Sequence, residues 1–364
     1  MAESKMTYAP DYAVPPGWVL EEMLESHEMS HAEFARRCGR SPKLVSEIIA
    51  GKAPIEPETA IQFQRVLGMD ARVWLNIEAN FQLRRAREEE GERLESEVAW
   101  YREFPIASLA QLGAVPKPRS DVDGVQILLT FFGVANVDAW SRRFASASVS
   151  YRHSPSFKSS IEALTTWLRL GELSAAQQNC EDYDRASFLS SLRRIRELTV
   201  LKIDEFLPEM TKLCNSSGVA FVLVPPVQGT ALSGAARWLT PRKALIQQSG
   251  RYRTNDHFWF TFFHEAAHLL LHSRKDVFVD EDAGDGNELE DEANAWAANF
   301  LVPRRDWELF VATQPRSKAA VVQFAEKQGI APGIIVGMLQ YRGVLPWTHL
   351  NGLKKRFQWK RRET

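Results

Sequence analysis

The stretch that decides the N-terminal fold is SHAEFARRCGRSPKLVSEIIAGK, at residues 30–52. Ser30, followed three residues later by Glu33, is typical of the capping box that begins a helix. Gly39 suits the left-handed residue that closes a helix, and Ser41 can cap the next helix, which has proline at its first position. The sequence therefore predicts two short helices joined by a turn of three to four residues, a helix-turn-helix.

The second of these helices is the one expected to enter the major groove of DNA. Between His31 and Lys52 there are five basic and two acidic residues, a net charge of +3 on a chain whose overall charge is −1. This local excess is the electrostatic pattern expected of a DNA-binding surface. The alternative is a purely structural helical hairpin.

Lys43 and Ser46 face outward from the second helix, and Lys43 can reach guanine O6 and N7 in the groove. Lys52 and the nearby arginines, Arg40 among them, are better placed for phosphates. The complete set of predicted DNA-binding residues is His31, Ser41, Lys43, Ser46, Lys52 and Arg40.

A second motif, FWFTFFHEAAHLLLH at residues 258–272, contains the His-Glu-x-x-His pattern. His264 and His268 are four residues apart, so on a helix both imidazoles project from one face and can bind one zinc ion. Glu265 is then the predicted catalytic base, which takes a proton from the attacking water. His272 lies one turn further on, and a supporting or packing role is favoured over ligation because three in-line residues cannot surround a metal tetrahedrally.

A catalytic zinc needs a third protein ligand and an open fourth position. The segment ELEDEANAWAANFLVP, at residues 288–303, is expected to form a second helix with an apolar face and a carboxylate in its first turn. We predict Glu292 as the third ligand, with Glu288 as the fallback.

Composition limits the class of protein. The 364 residues include 45 basic and 46 acidic ones, which excludes a uniformly basic nucleic-acid coat. Three scattered cysteines do not form a disulfide framework and fit a reducing cytosol. The start has no signal-peptide pattern, and the longest uncharged apolar stretch, residues 124–137, is shorter than a membrane span. We expect a cytoplasmic protein with no membrane partner.

The predicted fold class is mainly α with an α+β part. The expected divisions are a tail at residues 1–14, the helix-turn-helix domain at 15–85, a helical middle region at 86–200, and a zincin-like domain at 201–364 with a small β-sheet and the His-Glu-x-x-His helix. Strands are expected at residues 218–226, 235–239 and 244–248. Residues 324–336 repeat the helix-turn-helix spacing, but a packing hairpin is favoured because the second helix offers no base-reading side chains.

Two resemblances add to this reading. Residues 18–83, with SEIIAGK at 46–52 and VWLNIEANF at 73–81, resemble the Cro/C1-type DNA-binding domain of the HigA antitoxin branch. That resemblance implies a five-helix domain that dimerises on palindromic operator DNA and often represses its own operon.

Residues 218–359 resemble the ImmA/IrrE family of metallopeptidases, through the His-Glu-x-x-His helix and EANAWAANFLVP at 292–303. The resemblance implies zinc bound by His264, His268 and the glutamate before Ala-Asn, which is Glu292. It also implies that the protein substrate is a transcriptional repressor.

The leading hypothesis is a DNA-binding transcriptional regulator fused to a zinc-dependent endopeptidase, a homodimer that cleaves itself or a partner repressor in a stress, phage or toxin–antitoxin response. The alternative is a non-enzymatic, antitoxin-like autorepressor whose peptidase-fold domain binds a toxin. In a third reading, that domain senses a ligand. A toxin-sized neighbouring reading frame whose product co-purifies would favour the alternative.

Overall fold

The structure is a computed structural model, which describes residues 14–144, 159–251, 253–272, 278–281 and 288–357. It divides into two compact units, Met1–Val98 and Ala99–Thr364. Of the predicted tail at residues 1–14, all but Val14 lies outside the described residues.

The described part of the first unit contains five helices, as the sequence predicts. They are α1 (Pro16–Ser26), α2 (His31–Cys38), α3 (Pro42–Ile49), α4 (Pro57–Leu67) and α5 (Ala71–Ser96). Their apolar faces meet in one core, where Phe63 packs against both Phe34 and Trp74 with ring centroids 4.8 and 5.5 Å apart. All three rings are fully buried, so the helix-turn-helix is packed against the hydrophobic core of this unit.

The capping residues and the glycine at the turn between α2 and α3 make the contacts that the sequence predicts. The N–H of Glu33 donates to Ser30 Oγ over 3.3 Å, and the N–H of Leu44 donates to Ser41 Oγ over 3.1 Å. Gly39 ends α2 in the left-handed region at φ 65°, where a residue with a Cβ would be strained. The boundary expected near residue 85 falls within α5, which continues to Ser96.

The described residues that follow form further helices and a small sheet. The helices are α6 (Val98–Arg102), α7 (Ile106–Gln111), α8 (Asp121–Phe132), α9 (Val137–Arg143), α10 (Ile161–Ala176), α11 (Arg185–Glu197), α12 (Ile203–Asn215), α13 (Asn255–Leu271), α14 (Glu288–Leu301), α15 (Arg304–Ala312), α16 (Lys318–Gln328) and α17 (Pro332–Tyr341). The strands are β1 (Val219–Leu223), β2 (Leu232–Thr240), β3 (Lys243–Gln248) and β4 (Phe278–Glu281).

The sheet has the order β1-β3-β2-β4. The three predicted strands are present: β1 runs parallel to β3, with Ala220 opposite Leu245, and β2 runs antiparallel to β3, with Ala236 opposite Ile246. The fourth strand, β4, is antiparallel to β2 and was not predicted. Helix α13 packs on β2 and β3, so the His-Glu-x-x-His motif lies in the main core of this unit.

The expected boundary near residue 200 falls inside the second unit. Helix α10, before it, packs on β1 and β3, and helix α12, after it, packs on β1. Phe188 and Ile195 of α11 belong to the same core as Phe262 of α13. Two helices of the middle region are thus joined to the sheet: α10 packs on it, and α11 shares its hydrophobic core.

The segment Asp121–Arg143 is apolar and long enough to cross a membrane by length and composition alone. In the structure it is two helices, α8 and α9, because Gly133 ends α8 in the left-handed region at φ 63°. Val125, Leu128 and Phe132 are fully buried in the protein. Length and composition are therefore weak evidence for a membrane span here.

The hairpin at residues 324–336 is a packing element, as favoured from the sequence. Gly329 separates α16 from α17, and α17 lies against α13. Ile334, Ile335 and Val336 of α17 are buried, so the middle of this helix is used for packing.

Candidate metal centre and nucleic-acid interface

Helix α13 places the three motif residues inside the protein. It runs for 17 residues, and His264, Glu265 and His268 expose only 2%, 0% and 2% of their surface. Because His264 and His268 are one helical turn apart, their imidazoles converge, with Nε2 atoms separated by 2.9 Å.

A carboxylate from α14 completes this group. Glu290 Oε2 lies 3.0 Å from His264 Nε2, and Glu290 Oε1 lies 3.5 Å from His268 Nε2. His264, His268 and Glu290 each offer one ligand atom, and these atoms all lie within 4.8 Å of one another. Ligand atoms about 2.0–2.1 Å from a tetrahedral zinc are about 3.3 Å apart. The donor set therefore fits one zinc ion in both chemistry and spacing.

The structure does not bring Glu292, the predicted third ligand, to the two histidines. The reason is the direction in which each side chain leaves the helix. Two residues along a helix turn a side chain by about 200°, so Glu290 and Glu292 point to opposite sides of α14. Glu292 is half exposed and its Oε2 contacts His272 Nε2 at 3.2 Å instead. The fallback, Glu288, is exposed and does not belong to the group either.

A sequence signal for Glu290 exists in the spacing Glu290-x-x-x-Asn294. Residues four apart share a helix face, and Asn294 Oδ1 lies 2.9 Å from His264 Nδ1. In the tautomer that carries its proton on Nδ1, His264 donates to this amide oxygen, and its Nε2 is then available to bind a metal. One face of α14 thus carries both the carboxylate of the group and an amide that contacts the ring of His264.

Electrostatics favour the protonation states that a metal needs. Burial alone would raise the pKa of Glu290, but hydrogen bonds from His264 and His268 hold it well below its usual value. Burial lowers the pKa of His268, although its hydrogen bond to Glu290 opposes the effect. An ionised carboxylate and a neutral imidazole are the forms that bind zinc.

Glu265 lies on the face of α13 that meets β2. A Cβ placed on Gly234 of β2 would collide with Glu265 Oε1 and would also contact Thr261. The absence of a side chain at Gly234 is therefore what lets the strand approach the carboxylate so closely.

The predicted DNA-binding residues lie on and beside α3. Val45 and Ile48 of that helix are buried, while Lys43 and Ser46 are exposed on its opposite face. Lys43 Nζ lies 3.7 Å from a carboxylate oxygen of Glu47, one turn further along. His31, Ser41 and Lys52 are also exposed.

Arg40 is held differently from the other predicted DNA-binding residues. Its Nε donates to Gln62 Oε1 over 2.6 Å, and its guanidinium lies 3.0 Å from Glu58 Oε2, with 25% of the side chain exposed. Both partners belong to α4, so Arg40 joins the turn to that helix.

Comparisons with known proteins match the region of the metal centre and the region of the helix-turn-helix separately. The family model described as "Peptidase_M78: IrrE N-terminal-like domain" matches residues 240–336, which contain α13, α14 and Glu290. The uncharacterised HTH-type transcriptional regulator YddM of Escherichia coli is 35% identical over 71 residues, 20% of this chain and 76% of YddM.

Two further similarities concern the N-terminal region, as the similarity to YddM does. Virulence-associated protein I of Dichelobacter nodosus is 32% identical over 78 residues, 21% of this chain and 72% of that protein. The solved structure of the Pseudomonas aeruginosa antitoxin HigA with the higBA promoter is 28% identical, covering 24% of this chain and 95% of that chain, with a TM-score of 0.22. Through its N-terminal part the chain belongs to the family of HTH-type transcriptional regulators that includes YddM, and it joins this part to an IrrE-like domain of the M78 peptidase family.

Proposed function

We propose that the second unit is a zinc-dependent endopeptidase, with His264, His268 and Glu290 as metal ligands and Glu265 as the catalytic base. The observation that carries the proposal is the convergence of three buried or half-buried donors beside a fully buried glutamate on the same helix. The family match at residues 240–336 supports it.

His264, His268 and Glu290 would hold the zinc ion, which would supply a Lewis acid for the peptide carbonyl and lower the pKa of water to about 7. The chain's own residues then have separate tasks. Nε2 of each histidine and the carboxylate of Glu290 fix the donor geometry, and Asn294 holds the ring of His264 in place. The carboxylate of Glu265 takes a proton from the attacking water and returns it to the nitrogen of the leaving amine.

For the first unit we propose operator recognition on double-stranded DNA in the cytoplasm. The exposed set His31, Ser41, Lys43, Ser46 and Lys52 supports this, with Lys43 at base edges and Lys52 at phosphates. A homodimer fits a palindromic operator, because two recognition helices one helical turn of DNA apart read two half-sites.

The fusion of the two parts suggests that the protein substrate is a repressor, either this chain itself or a partner regulator. Cleavage between a DNA-binding domain and the rest of a repressor would lower operator occupancy, because binding through one half-site loses most of the affinity of the dimer. This coupling links the proposed peptidase to transcription.

The first test is the zinc content per chain, measured by elemental mass spectrometry on the full-length protein purified without chelator. We expect about one zinc in the wild type and little in His264→Ala. Wild-type protein should then yield fragments of itself or of a co-expressed repressor, whereas Glu265→Gln should bind zinc and yield none. Absence of zinc in the wild type after supplementation would refute the enzyme and leave a repressor whose second unit binds a toxin or senses a ligand.

A further inference from the structure

His272 stands immediately after the metal-centre helix, and its ring is turned back towards that helix. Helix α13 ends at Leu271, and His272 is extended, with φ −107° and ψ 174°. Its Nδ1 lies 2.8 Å from His268 Nδ1, with the ring centroids 4.9 Å apart. Its Nε2 lies 3.2 Å from Glu292 Oε2, and only 3% of the side chain is exposed.

These contacts form a chain of three side chains that ends at the proposed ligand atom. Glu292 contacts His272, His272 contacts His268, and the far nitrogen of His268 faces His264 and Glu290. Each contact joins one identified nitrogen or oxygen atom to another. If the donor or acceptor role of one atom in the chain of side chains is known, the roles of the others therefore follow.

The proton positions follow from elementary bonding. If His268 binds a metal through Nε2, that atom offers its lone pair and the ring proton is on Nδ1. The Nδ1–H of His268 then donates to Nδ1 of His272, which must be an acceptor. The proton of His272 is therefore on Nε2, where it donates to the carboxylate of Glu292.

We propose that His272 is a positioning residue that fixes the tautomer and ring orientation of His268, and that Glu292 fixes His272 in turn. This inference rests on the proposed metal site. A ligand histidine commonly donates its other N–H to a carboxylate, carbonyl or water. Here a second imidazole stands between the ligand and the carboxylate.

The contacts of His272 favour a positioning role over two alternatives, which are metal ligation and packing alone. His272 is not placed as a fourth ligand, because its Nδ1 meets the side of the His268 ring opposite Nε2. Packing alone would not need directed contacts at both ring nitrogens. The other histidine of the pair is oriented separately, by Asn294, so the two rings depend on different partners.

The test uses two substitutions of His272 in the full-length chain. Phe keeps a ring of similar size but has no acceptor, whereas the side-chain oxygen of Asn can stand near the position of Nδ1. The zinc dissociation constant is measured by competition with a chromophoric chelator. We expect His272→Phe to weaken zinc binding about 10–100-fold, as is typical of such supporting contacts, and His272→Asn to remain close to the wild type. Thermal unfolding without metal serves as the control for folding.

A second measurement needs no variant. In zinc-loaded wild-type protein labelled with ¹⁵N-histidine, we expect the NMR signals of His268 and His272 to report a proton on Nδ1 and on Nε2, respectively. Unchanged zinc affinity in His272→Phe, equal losses in the Phe and Asn variants, or a proton on Nδ1 of His272 would overturn the inference while leaving the zinc site intact. A wild-type chain that binds no zinc would overturn the proposed peptidase and this inference together.

Discussion

Gly234 of β2 lies directly against the carboxylate of Glu265, with no room between them for a methyl group. The strand therefore sets one wall of the position that the proposed base occupies. We predict that Gly234→Ala displaces this carboxylate while leaving His264, His268 and Glu290 in place. A displacement of about 1 Å in a catalytic group can cost about 10²-fold in rate.

The measurement for Gly234→Ala is the yield of cleavage fragments at matched zinc occupancy. Gly352→Ala is the control, because a Cβ at Gly352 meets nothing within 4 Å. Full cleavage by Gly234→Ala would mean that Glu265 does not act from its position beside β2.

The identity of the third ligand can be decided by a pair of matched substitutions. Glu290→Gln should weaken zinc binding by more than the about 10–100-fold typical of supporting residues, because it removes a charged ligand. Glu292→Gln should have a smaller effect, because the amide oxygen can still accept a hydrogen bond from His272. The zinc dissociation constants of the two full-length variants give the comparison, and the reverse order would restore Glu292 as the ligand.

Two lysines should affect DNA binding in different ways. Lys43→Ala should cost about 1–3 kcal/mol and relax the preference for one base pair, because Lys43 is proposed to contact a base edge. Lys52→Ala should weaken binding to all sequences alike and reduce the salt dependence, because Lys52 is proposed to contact a phosphate.

Fluorescence anisotropy at several salt concentrations, with operator and scrambled duplexes, separates these two lysine effects. The control is Arg72→Ala, an exposed basic residue of α5 outside the helix-turn-helix. A loss with Arg72→Ala equal to that of either lysine would argue for a diffuse charge effect and against the assigned contacts.

Removing one member of a charge cluster in the second unit should destabilise the fold. Glu172 of α10 is the shared partner of Arg143, Arg169 and Arg237, at 2.9, 2.6 and 3.1 Å. Burial lowers the pKa of Arg237 to about 10, an effect that Glu172 opposes.

Glu172→Ala would leave the buried guanidinium of Arg237 without its counter-charge. We expect a loss of about 3–5 kcal/mol in the free energy of unfolding, measured by urea denaturation. Glu181→Ala, at an exposed position, should change it by less than about 0.5 kcal/mol. Similar values for the two variants would show that the cluster does not stabilise the fold.

Cys38 provides a test of burial in the helix-turn-helix. Burial raises the pKa of this thiol from 9.0 to about 11, although Arg40 opposes the shift. Near pH 8 the folded protein should therefore contain about 100-fold less Cys38 thiolate than the unfolded chain, and alkylation should be slower by at least that factor.

The same shift has a consequence for stability. Between about pH 9 and 11 the unfolded chain loses the Cys38 proton while the folded chain keeps it, so the free energy of unfolding should fall as the pH rises. Alkylation followed by mass spectrometry and urea denaturation at several pH values measure the two effects. Rapid labelling of native Cys38 at pH 8 would show that the α2 face opens.

The sequence predicted best what depends on neighbouring residues. Ser30, Gly39 and Ser41 define the helix-turn-helix through contacts within a few positions, and the histidine pair of α13 needs only the period of a helix. The sequence did not single out Glu290, the carboxylate that lies beside the histidine pair, because residues 276–292 contain nine carboxylates. Which of them faces the histidines is decided by the first residue of α14 and by the packing of Ala293 and Ala297, not by local pattern.

Longer-range relationships were also beyond local reasoning. The insertion of β3 between β1 and β2 and the addition of β4 at the edge depend on pairing between distant segments. The contacts of Arg40 with Glu58 and Gln62 of α4 could not be foreseen, because these partners are about 20 residues away in sequence. For the same reason, the contact between Gly234 and Glu265 became visible only in three dimensions.

The first turn of α13 is completed by residues synthesised much later. Asp256 forms a buried ion pair of 2.6 Å with Lys354, and Phe357 lies in the same core as Phe258. Asp256 and Lys354 are 98 positions apart. On the ribosome, the helix that carries His264 and Glu265 must therefore wait for nearly a hundred further residues before its start is anchored. A nascent chain can complete its helix-turn-helix long before that, so the first unit would finish folding earlier in synthesis than the candidate metal centre.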